Sequence, residues 1–141
     1  MDKNKCVIEL RNVSIYHTDG NAKHPKKEDE LVLTDVNLRV DEGEMVYFIG
    51  RVGSGKSTLL KTLYAEVKLA EGEGRVVGMD LRRLRRSDVP YLRRRMGIVF
   101  QDFRLLKDRN IYENIAFAQR VVETSHRIIK RRVPAMLSLV G

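Results

Sequence analysis

Three glycines, a lysine and two hydroxyl residues lie close together in the segment Gly50-Arg51-Val52-Gly53-Ser54-Gly55-Lys56-Ser57-Thr58. Glycine allows backbone angles that a side chain forbids, so the N–H groups of such a loop can turn inward around an anion. Lys56 would supply a mobile cation for phosphate oxygens, and the Ser57 hydroxyl is placed to bind Mg²⁺. The spacing G-x-x-x-x-G-K-[ST] therefore predicts a loop that holds the phosphates of a nucleoside triphosphate.

We expect every residue of this loop, from Gly50 to Thr58, to contact the nucleotide. Thr58 would add a hydroxyl contact to an oxygen of the α-phosphate. Two alternatives remain for parts of the segment. The loop could be a glycine turn that binds nothing, and the Ser57 hydroxyl could serve only as a helix cap.

The elements on either side of the loop would position it. Met45 to Ile49 is almost entirely apolar, which is typical of a buried strand in a parallel sheet. After the loop, Leu59, Leu60 and Leu63 recur with the spacing of one helix face. The sequence therefore predicts strand, loop and helix in the order that a phosphate-binding loop requires.

Strand patterns also precede this region. Apolar residues alternate from Cys6 to Tyr16, with a possible break in register at Arg11-Asn12, and a second strand is predicted from Leu31 to Val40. The polar stretch from Thr18 to Glu30 between them is predicted to be a loop, and Asp41 to Glu44 is predicted to be a tight turn. Together these patterns predict a small antiparallel sheet.

The remaining chain shows weaker strand signals and then helices. Glu71 to Gly74 predicts a turn, Arg75 to Met79 a short strand, and Arg95 to Phe100 another buried strand. From Asn110 onward the apolar spacing is helical, with Pro134 starting or bending the last helix.

Composition places few other limits on function. The 141 residues are 43% hydrophobic and 33% charged, which is usual for a single globular domain. Cys6 is the only cysteine, so neither an internal disulfide nor a cysteine-based zinc site is possible. No segment has the length of a transmembrane helix or the pattern of a signal peptide, and we expect a cytoplasmic location.

The net charge of +8 is concentrated in one part of the chain. Seven arginines lie within fourteen residues, at Arg82, Arg83, Arg85, Arg86, Arg93, Arg94 and Arg95. The cluster could be a solvated face, a surface for anionic lipid, or a site for nucleic acid. Tyr91 is the only aromatic residue among these arginines, and a single ring gives little support for nucleic-acid binding.

Several of these features resemble the first half of an ATP-binding-cassette (ABC) ATPase. Tyr16 matches the aromatic position whose ring stacks on adenine in that family. Gln101, in the run Gly97-Ile98-Val99-Phe100-Gln101-Asp102, matches the Q-loop glutamine, which contacts Mg²⁺ and the attacking water. The resemblance implies ATP and Mg²⁺ as cofactors, Ser57 and Gln101 as metal ligands, and Lys56 and Gln101 as catalytic residues.

Within that superfamily the chain is similar to the FtsE family of bacterial cell-division ATPases. The similarity lies in the segments 90–95, 100–106 and 108–114. It implies an FtsX-like integral membrane partner, a homodimer of ATPase subunits when full length, and a peripheral location on the cytoplasmic face of the inner membrane. The ATPases of lipoprotein-release and macrolide-type exporters have similar segments and remain alternatives.

The catalytic motifs that the family carries later in its sequence do not occur in this chain. Neither Asp29-Glu30 nor Asp41-Glu42 follows the apolar run of a Walker B motif. The chain contains no Leu-Ser-Gly-Gly signature, and none of its three histidines occupies the position of a switch histidine. We therefore expect the N-terminal portion of an ABC ATPase, which binds ATP weakly and does not hydrolyse it.

The expected fold class is α/β, a P-loop NTPase of the ABC type whose sheet is incomplete. We expect an antiparallel β-subdomain over 1–44, a core with parallel strands from the P-loop to the Q-loop over 45–101, and the start of a helical subdomain over 102–141. Two other functions stay open. One is a nucleotide-responsive binding module without turnover, and the other is a basic P-loop protein that acts on nucleic acid.

Overall fold

Four antiparallel strands form the sheet of the protein. The computed structural model describes residues 5–16 and 31–141, so the predicted loop from Thr18 to Glu30 lies outside the described residues. The strands are β1 (Cys6–Tyr16), β2 (Leu31–Asp41), β3 (Glu71–Val76) and β4 (Met79–Asp80), arranged in the order β2-β1-β3-β4. The predicted N-terminal antiparallel sheet is confirmed.

A bulge interrupts β1 where the sequence predicts a break in register. The pairing of β1 with β2 shifts between Leu10 and Val13, and Asn12 has a positive φ of 49°. Polar groups of β2 hold the bulge in place. The Asn12 backbone N–H donates to Asn37 Oδ1 at 3.0 Å, and the Asn12 side chain donates to Asp35 Oδ1 at 2.7 Å.

The turn predicted at Glu71 to Gly74 is wrong, because these residues belong to β3. The chain turns instead at Val77 and Gly78, whose φ values of 43° and 83° suit a two-residue hairpin. Gly74 lies where a neighbouring side chain approaches the backbone of β3 closely. A Cβ on Gly74 would lie 3.0 Å from the Leu69 side chain, which is closer than an ordinary van der Waals contact.

The strands predicted at Met45 to Ile49 and at Arg95 to Phe100 do not form. No strand among the described residues pairs with either segment, and apolar composition cannot replace backbone partners. The side chains are correspondingly exposed, with Met45 at 80%, Ile49 at 94% and Val99 at 93%. All the strand pairs of the described residues are antiparallel, so the parallel pairs expected in the core are not formed there.

Two helices accompany the sheet, α1 (Lys56–Leu63) and α2 (Val89–Arg94). Leu59 and Leu63 of α1 are buried against β1 residues in one apolar core, as the spacing predicts. Leu60 is 45% exposed and lies at the edge of that face, since successive residues differ by about 100° around a helix. This core fixes the helix that follows the glycine loop.

The chain divides into two units, one ending at Met96 and the other running from Gly97 to Gly141. The second unit contains α3 (Ile111–Val121) and α4 (His126–Val140). Asn110 caps α3 by accepting the Glu113 backbone N–H at 2.8 Å. Pro134 lies inside α4 and does not start it, because α4 begins eight residues earlier, at His126.

A buried amide in the second unit leads to a stability prediction. Gln119 is a buried residue of α3 and is only 9% exposed. Its Nε2 donates to Met136 Sδ at 3.5 Å, while its Oε1 has no hydrogen-bond partner among the described residues. A buried unsatisfied polar atom costs about 1–3 kcal/mol, so Gln119→Leu should raise the free energy of unfolding by about 1 kcal/mol.

Urea denaturation of the whole chain measures this change. Ala118→Leu adds an apolar side chain at an exposed position of the same helix, and should change the stability by less than about 0.5 kcal/mol. A Gln119→Leu variant less stable than the parent chain would contradict the interpretation.

Candidate functional site

Two of the three glycines of the loop adopt the left-handed backbone that the sequence predicts, while Gly50 does not. Gly53 and Gly55 have φ values of 82° and 84°, in the left-handed region that favours glycine. Gly55 is also confined by β2, because a Cβ there would lie 2.8 Å from Leu33 Cγ and 3.0 Å from Val32 Cγ1. The loop is therefore held by its own backbone and by contact with the sheet.

The Lys56 ammonium lies against the loop. Its Nζ donates to the carbonyl oxygens of Gly50 and Arg51, each at 2.7 Å, and to Ser54 Oγ at 3.2 Å. All three acceptors are neutral, and no carboxylate among the described residues pairs with this lysine. Within the described part of the chain the positive charge is therefore uncompensated, and phosphate oxygens would be stronger acceptors than these carbonyls.

The N-terminus of α1 is open to an anion. Gly55 is the N-cap residue, no side chain caps the helix, and its first turn contains no acidic residue. Ser57 is exposed and Thr58 is partly buried in this first turn. The free backbone N–H groups and the helix dipole favour a negative group here. The sequence alternative that Ser57 caps the helix does not hold in this structure.

A groove of about 370 Å³ adjoins the loop. Gly50, Ser54 and Lys56 form its polar side, while Leu38, Phe48 and Leu59 contribute apolar surface. The volume lies in the range of small-molecule sites, about 300–1,000 Å³. A few polar groups that converge beside apolar walls are the usual arrangement of such sites.

Tyr16 lies at the end of β1, opposite Leu31 of β2. Its hydroxyl donates to Glu71 Oε1 at 3.1 Å, which holds the partly buried ring beside the first residue of β3. The structure therefore brings Gly50, Ser54 and Lys56 together by hydrogen bonds, and it places Tyr16 at one end of the sheet in the same unit.

Gln101 belongs to the second unit and is exposed at the start of a turn. The expectation that it ends a buried strand is wrong, since residues 97–100 form no strand. The turn is unusual because Phe103 and Arg104 both have positive φ values, 57° and 46°. The Arg104 guanidinium lies 3.8 Å from the centre of the Phe100 ring and holds the segment together.

Sequence reasoning missed the residues that support the loop from outside it. Leu33 and Val32 of β2 contact the position of Gly55. No local signal could have identified the two β2 residues, because their contact with the loop depends on the register of a strand about twenty residues away.

A glycine loop around a lysine, at the uncapped start of a helix beside an antiparallel sheet, defines the nucleotide-binding region of a P-loop domain. The family model for ABC transporters matches residues 33–141, and the chain belongs to this family. Among the helices within residues 5–16 and 31–141, none combines the length and the hydropathy of a membrane-spanning segment.

The curated relatives include cell-division proteins. The chain is 42% identical over 135 residues to the cell division ATP-binding protein FtsE of Streptococcus pneumoniae, which covers 96% of this chain and 55% of the relative. It is 42% identical over 123 residues to FtsE of Mycobacterium tuberculosis, covering 87% and 54%. For FtsE of Escherichia coli K12 the identity is 40% over 109 residues, covering 77% and 49%. The chain spans about half the length of these relatives.

Solved structures confirm the predicted fold class. A dimeric structure of the ATP-binding cassette MJ0796 in a post-hydrolysis state, bound to ADP and Pi, matches with a TM-score of 0.77 and 28% identity, covering 94% of this chain and 56% of that one. A second dimeric structure of MJ0796, a bacterial ABC transporter cassette, matches with a TM-score of 0.74 and 29% identity, covering 89% and 53%.

Proposed function

We propose that this chain is the nucleotide-binding portion of an ATP-binding subunit in an FtsEX-like complex of bacterial cell division. The observation that carries the proposal is the Lys56 ammonium at an uncapped helix start, whose acceptors among residues 5–16 and 31–141 are all neutral groups of the glycine loop. ATP binding and hydrolysis in the whole protein would be coupled to an FtsX-like integral membrane partner.

Each loop residue has a defined role in this proposal. The backbone N–H groups from Gly50 to Ser57 surround the β-phosphate, Lys56 binds β- and γ-phosphate oxygens, and Thr58 adds a hydroxyl contact to the α-phosphate. Arg51 and Val52 contribute backbone to the loop. Tyr16 would stack on adenine through its aromatic ring.

Ser57 and Gln101 would each offer one oxygen ligand to Mg²⁺, as the family resemblance implies. Both offer uncharged oxygen atoms, and both are exposed in the structure. No group of three histidine, cysteine or acidic side chains that could hold a metal occurs in the described part of the chain, so phosphate oxygens would complete the coordination. The ion would neutralise phosphate charge when bound. Gln101 would orient water next to the γ-phosphate.

We propose that the chain by itself binds ATP weakly and does not turn it over. Phosphoryl transfer depends on positioning and on charge stabilisation, which in this family also needs the Walker B carboxylates and the signature of a partner subunit. The division into 1–44, 45–101 and 102–141 belongs to the same proposal. We also propose that the whole protein forms a homodimer of ATPase subunits and lies peripherally on the cytoplasmic face of the inner membrane.

Calorimetric titration of the purified chain with Mg²⁺-ATP and with AMP tests the proposal. AMP lacks the β- and γ-phosphates that the loop would hold, so ATP should bind at least about tenfold more tightly, because charge-assisted hydrogen bonds are worth about 1.5–3 kcal/mol. Phosphate release should stay at the level of buffer alone. Equal affinities for the two nucleotides, or turnover by this chain, would overturn it.

A further inference from the structure

The segment between β4 and the end of the first unit holds its arginines around buried leucines. Leu92 is fully buried, Leu81 is 9% exposed, and Leu84 packs against the same core. The exposed residues of the segment include all seven arginines, at positions 82, 83, 85, 86, 93, 94 and 95. Because the leucines are fixed in the core, the guanidinium groups are kept at the surface.

Several of these arginines contact the rest of the first unit. Arg93 Nε donates to the Tyr64 carbonyl oxygen at 3.0 Å, and Arg95 Nη1 donates to the Val77 carbonyl oxygen at 2.9 Å. Arg82 Nη1 donates to the Gly72 carbonyl oxygen at 3.3 Å. These bonds connect the segment to the end of α1 and to the β3–β4 hairpin.

Arg85 and Arg86 differ from these three. Neither side chain forms an ion pair or a hydrogen bond with any described residue. The only acidic residue between Arg82 and Arg95 is Asp88. The Asp88 carboxylate accepts the Arg85 backbone N–H at 3.1 Å, and a contact to the Ser87 hydroxyl measures 3.4 Å. The two guanidinium groups are therefore available to an external anion.

An aromatic ring lies beside another arginine of the same segment, Arg94. Tyr91 is 62% exposed, and the Arg94 guanidinium lies 5.5 Å from the centre of its ring. We call Arg85, Arg86, Tyr91 and Arg94 the arginine surface. A tyrosine with an apolar ring and a polar hydroxyl is suited to a boundary between water and lipid.

We propose that the arginine surface binds the anionic headgroups of a lipid bilayer. The excess of positive charge favours a negatively charged partner, since the segment from Arg82 to Arg95 contains seven arginines and one aspartate in a chain whose net charge is +8. The planar guanidinium matches phosphate oxygens in a bidentate geometry. Basic side chains near an anionic leaflet each add to binding, and the effect extends over about a Debye length.

The structure favours lipid over nucleic acid for this surface. The helix α2 has six residues and is about 9 Å long, so it offers no extended face for a DNA groove. Tyr91 is the one aromatic side chain of the segment, whereas single-stranded nucleic acid is bound by several stacked rings. The phosphate groups of a bilayer surface carry no base sequence, so binding them requires neither an extended helix face nor several aromatic rings.

Vesicle flotation with the full chain tests this inference. The wild-type chain should bind vesicles that contain phosphatidylglycerol and should not bind vesicles of phosphatidylcholine alone. The double variant Arg85→Gln/Arg86→Gln should bind the anionic vesicles about 10- to 30-fold more weakly. The matched control is Arg131→Gln/Arg132→Gln, which removes the same charge from exposed positions of α4 and should lose less than about threefold.

Three results would overturn the inference. The first is that the wild-type chain does not bind anionic vesicles, and the second is that both double variants lose the same affinity for them. The third is that the wild-type chain binds single- or double-stranded DNA more tightly than anionic vesicles and that Arg85→Gln/Arg86→Gln abolishes the DNA binding. Unchanged thermal melting of both variants would show that the arginines act at the surface. Lys56→Ala should leave vesicle binding unchanged, so a failure of the proposed nucleotide site is distinguishable from a failure of this inference.

Discussion

Replacing Lys56 by alanine should weaken ATP binding to this chain by roughly 10- to 100-fold. The substitution removes the cation that the structure holds against Gly50, Arg51 and Ser54, and with it a charge-assisted hydrogen bond to phosphate. Such bonds contribute about 1.5–3 kcal/mol, which corresponds to that range in the dissociation constant. Calorimetric titration with Mg²⁺-ATP measures the change.

Lys68→Ala is the matched control for this experiment. Lys68 is exposed, and its replacement by alanine removes the same charge from the first unit. The Lys68→Ala variant should therefore bind ATP within about twofold of the wild-type affinity. The alanine at position 56 also removes bonds within the loop, and circular dichroism should show that α1 is retained. If both variants bound ATP equally, Lys56 would have no direct role in holding phosphate.

The largest expected effect on stability is at Gly72. A Cβ on this residue would lie 2.3 Å from the Asn12 carbonyl oxygen and 2.6 Å from the Arg11 carbonyl oxygen. Both are backbone atoms of the bulge in β1, so neither can rotate away. Gly72→Ala also forces alanine to a φ of 80°. We expect a loss of about 3 kcal/mol or more in the free energy of unfolding, the sum of left-handed strain and overpacking.

Gly78→Ala separates these two causes. Gly78 has nearly the same φ, 83°, but apart from its two chain neighbours no described residue places an atom within 4 Å of the position of its Cβ. This variant should therefore lose only the conformational part, about 1–2 kcal/mol. Urea denaturation of both variants gives the comparison. Equal losses would show that β3 does not depend on its close approach to the bulge.

The loop itself was predictable because its chemistry is local. Its glycines, lysine and hydroxyls are consecutive, and a short segment determines both the left-handed turns at Gly53 and Gly55 and the start of α1. The predicted break at Arg11-Asn12 and the antiparallel pairing of β1 with β2 were correct for a similar reason. Alternating apolar residues specify which face of a strand is buried, whatever its partner.

Segments whose state depends on distant partners were predicted less well. Met45 to Ile49 has the composition of a buried strand, yet it is exposed because no described strand pairs with it. Glu71 to Gly74 has the composition of a turn, yet it pairs with β1 because Gly72 fits against the bulge. Hydrogen-bond partners in a sheet lie far apart in sequence, and the pattern within one segment does not contain them.

The sequence by itself determined the phosphate loop, the helix that follows it, and resemblance to the ABC family. Only the tertiary structure decided how the loop is supported, with Leu33 against Gly55 and Lys56 turned onto backbone carbonyls. It also decided that the Arg85 and Arg86 side chains form no hydrogen bond with a described residue, while Arg82, Arg93 and Arg95 bond to backbone carbonyl oxygens. The physical reason is that local conformation depends on residue type and spacing, whereas contacts depend on which surfaces the folded chain brings together.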